Sequence, residues 1–136
     1  MISKQRGRKK VESPTKSYLA PLVQMGVTSG NWNAVRRYTK AHPSIIPLLP
    51  DVCQRVRGEF GSETELALDE YRDPEIDDRY LTLCLRLPNY ELDTMDRIER
   101  VNQSFENRIK PKTGYLLVTT DFRQAKFTPF PAVAIH

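Results

Sequence analysis

A chain of 136 residues and 15.7 kDa has room for one ordinary domain. Its 39% hydrophobic and 28% charged residues exclude a wholly disordered chain and a coiled coil, and no apolar run approaches the roughly 18 residues of a membrane-spanning helix. The net charge of +4 is unevenly spread: residues 1–16 hold six Lys and Arg against one acid, while the other 120 residues carry fifteen cations and sixteen acids.

Residues 1–30 read as a basic flexible arm and linker, the basic N-terminal arm being disordered. MISKQRGRKK has too little apolar surface to bury, and VESPTKS continues with turn and cap formers. No apolar core follows the charges, so a secretory signal is not expected. The apolar stretch from Tyr18 to Val27 is suited to lie against the body, with Pro21 and Gly26 limiting any helix there.

The body is expected over 31–122. Asn31 is a good N-cap, and a first helix runs from it to Pro43, with Trp32, Val35, Tyr38 and His42 on one side. HPSIIPLLPD then resists one continuous helix, so a short turn precedes a second helix from near Pro50. Its stripe is Val52, Cys53, Val56 and Phe60, and Gly58 or Gly61 ends it. From Thr64 the period changes to two. Leu66 and Leu68 share one face of a first strand; Leu81, Leu83, Leu85 and Leu87 share one face of a second, opposite Tyr80, Thr82, Cys84 and Arg86. DPEIDD between them predicts an antiparallel hairpin.

Helical spacing returns over Tyr90–Ile109, with Leu92, Met95, Ile98, Val101, Phe105 and Ile109 as the stripe and Asp93 or Thr94 as cap. Tyr115–Phe122 reads as a third strand, expected beside the first and antiparallel to it. Residues 123–136, RQAKFTPFPAVAIH, read as an extended apolar segment over the surface. The fold class is therefore α+β in the order ααββαβ: a three-stranded, mainly antiparallel sheet with one long amphipathic helix on its leucine face.

Two charged regions carry the functional expectation. Nine acids and one base lie between Glu59 and Asp78. Like charges so close repel, and a hairpin that keeps them suits docking of a basic protein through Glu70, Asp73, Glu75, Asp77 and Asp78. In the arm, Arg6, Arg8, Lys9 and Lys10 can neutralise nucleic-acid phosphates in a sequence-independent, salt-sensitive way. The leading expectation is thus a small, soluble, cytoplasmic, non-enzymatic interaction module. It resembles antitoxin or immunity modules in logic rather than in motif. A further option is a subunit of a larger assembly that docks through Phe127, Phe130, Val133 and Ile135.

Catalytic sets are sparse. Cys53 and Cys84 sit far apart in apolar settings, and His42 and His136 are the only histidines, so neither a metal site nor a cofactor is expected. Trp32, Tyr38, Phe60 and Phe105 read as core anchors. The alternative to a binding module starts at Phe60-Gly61-Ser62, which resembles the Gly-Ser turn of nucleotidyltransferases. That resemblance implies phosphate binding at Ser62 and Mg²⁺ held by carboxylates, with Asp69-Glu70 or Glu75-Ile76-Asp77 as the pair and Asp121 as the later acid. Here the Gly-Ser follows a helix and precedes a strand, the reverse of the order in that family.

Overall fold

The computed structural model describes residues 18–75, 78–111 and 113–125. In chain order these form α1 (Ala20–Gln24), α2 (Trp32–Ala41), a 3-10 turn (Pro43–Ile45), α3 (Leu48–Phe60), β1 (Glu65–Asp73), β2 (Asp78–Arg86), α4 (Thr94–Ile109) and β3 (Leu116–Thr119). The class is α+β, as the change of period along the chain predicts.

Helix boundaries follow the local chemistry. The Asn31 side chain accepts a hydrogen bond from the Ala34 N–H at 3.1 Å, which satisfies one of the orphan donors of the first turn of α2. His42 precedes a proline and leaves helical geometry at φ −132°, ψ 65°, so α2 stops there. α3 begins two residues ahead of Pro50, which is tolerated because a first-turn N–H has no intrahelical partner. Gly61, at φ 107°, ends α3 in a conformation that a side chain would strain.

The hairpin sets the sheet. β1 and β2 are antiparallel, with Leu66 opposite Leu85 and Leu68 opposite Leu83, so the alternating leucines of both strands share a face. Leu81, Leu116 and Val118 extend that face, and all seven are buried. Val35, Val52, Val56, Ile98, Val101 and Phe105 of the helices join the same core. Tyr38 and Phe105 are buried anchors, whereas Trp32 and Phe60 are partly buried against the core. Each fully buried Leu or Val is worth about 1.5–3 kcal/mol of transfer free energy, so this layer holds the fold together.

β3 departs from expectation in its neighbour. It lies beside β2, parallel to it, in the order β1-β2-β3, not beside β1. Its direction is as expected, since a strand antiparallel to β1 is parallel to β2. The free edge of β1 is already occupied: the Thr28 N–H donates to the Leu66 carbonyl at 3.0 Å, and the Leu68 N–H donates to the Thr28 carbonyl at 2.8 Å. Tyr18–Val27 accordingly lies against the body, with Leu19, Leu22 and Val27 buried and the Tyr18 hydroxyl 2.7 Å from that of Thr39.

The other edge of β3 is closed by a side chain. The Asn102 amide accepts from the Val118 N–H and donates to the Val118 carbonyl, both at 2.9 Å, as a neighbouring strand would. α4 also starts later than its periodicity predicts, at Thr94. Leu92 sits in the preceding turn with 106% exposure and Met95 is 47% exposed, so neither belongs to the buried stripe. The Asp93 side chain makes no cap bond; the Thr94 hydroxyl instead accepts from the Glu91 N–H at 3.0 Å. β3 itself ends at Thr119, short of Phe122, which turns out of the sheet at φ 62°. The chain beyond is fastened as far as Ala125, whose N–H donates to the Leu87 carbonyl.

Candidate docking face

Strand alternation gives the sheet a second face that no described element covers. Glu65, Ala67, Asp69, Tyr71 and Asp73 of β1, and Asp78, Tyr80, Thr82, Cys84 and Arg86 of β2, point away from the leucines, as do Leu117 and Thr119 of β3. None of these residues is buried, not even the small Ala67, whereas every leucine on the opposite face is. The described helices therefore pack on one side only.

One end of this open face is aromatic. Tyr71 and Tyr80 are cross-strand partners with ring centroids 5.1 Å apart, and Tyr115 meets Tyr80 at 5.8 Å with the rings nearly perpendicular at 79°. Tyr71 and Tyr115 remain 45% and 48% exposed. Immediately beyond them, Asp73 faces Asp78 across the hairpin. Burial, then Tyr71 and the Asp78 and Asp73 carboxylates, push the Tyr80 hydroxyl above the ordinary phenol range.

Among the acids assigned to docking, Asp73, Glu75 and Asp78 gather at the hairpin. Asp73 accepts from the Glu75 N–H at 2.9 Å and so orders the turn, while Glu75 and Asp78 are exposed. Glu70 is half-buried on the leucine side, opposite Leu81, and faces away from them. Asp77, the arm residues Arg6, Arg8, Lys9 and Lys10, and the C-terminal Phe127, Phe130, Val133 and Ile135 lie outside the described residues. So does His136.

The residues of the nucleotidyltransferase resemblance do not converge. Asp69 accepts from the Ser29 hydroxyl at 2.9 Å and the Gly30 N–H at 2.8 Å, fixing the loop that leads into the Asn31 cap. Glu70, its neighbour in sequence, is on the other face of the sheet. Ser62 is exposed in the turn between α3 and β1. Asp121 is gripped, through contacts of 2.8 and 3.2 Å, by Arg86, which stands in the register row of Glu65. That row is about 13 Å along the sheet from the row of Asp69, at a rise of ~3.3 Å per residue. The Arg86 guanidinium holds the Asp121 carboxyl down at about 2. Among the described residues no group of three metal-ligating side chains assembles.

Among the described residues, His42 and Cys53 have structural work. His42 Nδ1 is 2.8 Å from the Thr113 hydroxyl, and the ring lies against Tyr38 at 4.6 Å. Cys53 is a core residue whose thiol is pushed up to about 12 by burial. Cys84 is half-buried on the open face, and burial raises it as well. Beside the open face, an 850 Å³ groove runs between α4 and β3, lined by Met95, Ile98, Asn102, Ile109, Tyr115 and Leu117.

The tyrosine row is the feature that sequence periodicity leaves unassigned. Tyr71 and Tyr80 stand symmetrically about the DPEIDD turn, so the hairpin register carries that pair. Tyr115 joins them only because β3 lies against β2.

These features define an α+β fold with an acidic and partly aromatic sheet face that no described helix or strand covers. The chain matches no protein-family model, no curated protein and no solved structure. Among the described residues no helix is long and apolar enough to cross a membrane.

Proposed function

We propose that this chain is a non-enzymatic interaction module whose acidic hairpin docks a basic surface on a protein partner, with the N-terminal arm contacting nucleic-acid phosphates. The observation that carries the reading is the position of Asp73, Glu75 and Asp78 at the free end of a hairpin whose outer face no described element covers. Charges placed there stay hydrated and cost the fold little. They also project a field that speeds encounter with a cationic partner and selects against an anionic one.

The dispersal of Ser62, Asp69, Glu70 and Asp121 over both faces supports binding over phosphoryl-transfer chemistry, which needs its carboxylates on one metal. Affinity purification from the native host, with nuclease treatment and mass spectrometry, tests the proposal. The Asp73→Asn, Glu75→Gln, Asp78→Asn variant is expected to lose a protein that the unaltered chain retains at moderate salt. Equal recovery by both overturns the docking role. Removing residues 1–16 is expected to abolish the salt-dependent part of nucleic-acid binding, and unchanged binding overturns the role of the arm.

A further inference from the structure

We infer that the Tyr71–Tyr80–Tyr115 row seats a cationic side chain, arginine ahead of lysine, from an extended basic segment of the docking partner. The inference rests on the docking reading above and names what that surface holds.

Three observations favour a cation. The near-perpendicular Tyr80 and Tyr115 rings form a corner, and the two outer tyrosines keep about half their surface in water. An aromatic face attracts a guanidinium or ammonium electrostatically, and a planar guanidinium also stacks on it. Next, the carboxylates of Asp73 and Asp78 share the face of the sheet with the row and lie one step beyond it along the strands. Finally, the described cations of β1 and β2 are elsewhere. Arg72 and Arg79 alternate to the opposite face, and Arg86, at the far end, is committed to Asp121.

Leu117 and Thr82, in the next row, provide a partly apolar floor for the methylenes of an arginine stem. The same charges argue against a nucleic-acid strand stacking on these rings. Glu65, Asp69, Asp73, Asp78 and Asp121 against Arg86 would repel a phosphate backbone.

The test uses the full chain with ring-labelled tyrosine and three Gly/Ser-based peptides that differ only in carrying arginine, lysine or uncharged citrulline. By NMR, the arginine peptide is expected to shift the Tyr71, Tyr80 and Tyr115 rings together while leaving Tyr18 and Tyr90 unmoved. The affinity order should be arginine, lysine, citrulline. The Tyr71→Leu, Tyr115→Leu variant is expected to weaken the arginine peptide about fivefold, and the corresponding phenylalanine variant to retain it, because the ring rather than the hydroxyl makes the contact.

Should Asp73→Asn with Asp78→Asn weaken binding while the leucine variant and the ring signals stay unchanged, the row is overturned and the docking reading survives. If neither set of substitutions weakens binding, both fall. Ring shifts already present in the free chain that vanish when residues 1–16 are removed overturn the partner assignment, since the chain's own arm then fills the seat.

Discussion

Asn102→Ala removes the side chain that stands in for a missing strand. Its amide makes two hydrogen bonds to Val118, each 2.9 Å long, from a half-buried position on α4. A neutral hydrogen bond contributes about 1 kcal/mol net, and truncation also leaves the Val118 N–H and carbonyl without partners. Water reaches this edge in part, so the two bonds together set an expected loss of about 2 kcal/mol. For a domain of this size that lowers Tm by about 8 °C.

Equilibrium urea denaturation measures the loss directly, provided the slope is unchanged. Asn102→Asp serves as the internal control. At neutral pH its carboxylate still accepts from the Val118 N–H but repels the carbonyl, so it is expected to be at least as destabilising as alanine. Below about pH 4 the protonated acid regains a donor and the gap to the native protein should narrow. The uncovered edge of β3 should also make both variants associate more readily, seen as concentration-dependent sedimentation. A loss below about 0.5 kcal/mol for Asn102→Ala would refute the claim that this amide substitutes for a strand.

Gly114→Ala places a Cβ 2.9 Å from the His42 Cβ and 3.2 Å from the Tyr38 ring, so it is expected to destabilise the domain by about 1–3 kcal/mol; unchanged urea unfolding would contradict that close approach. The Arg86–Asp121 pair depresses the folded-state carboxyl to about 2 from its ordinary 3.8, so its contribution is complete above about pH 4 and disappears as pH falls towards 2. Because Asp121 is more than a third exposed, the contribution is about 1 kcal/mol or less, read as the stability gap between native and Asp121→Asn chains; a gap as large at pH 2 as at pH 6 would refute the pairing. Cys53, buried with its thiol pushed up to about 12, should react with a thiol reagent at pH 8 only as fast as the domain opens, and rapid labelling of Cys53 under native conditions would contradict its place in the core.

Period and capping made much of the fold legible from the order of residues alone. The leucine alternation in β1 and β2, the Asn31 cap and the Gly61 stop each act within a few residues, and each appears where local chemistry places it. The position of β3 depends instead on Thr28, thirty-eight residues before Leu66, taking the edge of β1; no local pattern announces such a contact. Leu92 shows the complementary error, in which apolar spacing continues past the point where backbone bonding starts the helix. At the candidate site, the hairpin acids were readable as a charge band, but strand alternation separates Glu70 from Asp73 and Asp78. Asp69 illustrates why a carboxylate in sequence is not a ligand in space: its lone pairs already serve Ser29 and Gly30.

The parallel placement of β3 also bears on how the chain becomes ordered. Only Pro74 to Asp77 separate β1 from β2, whereas Leu87 to Tyr115 must pass before β3 can meet Leu81. The hairpin can close early at small entropic cost, while the last strand waits on a long excursion through α4. During synthesis, the flank of β2 would therefore stand bare until Leu116–Thr119 have emerged, making that interval the one in which a nascent chain is most open to mispairing.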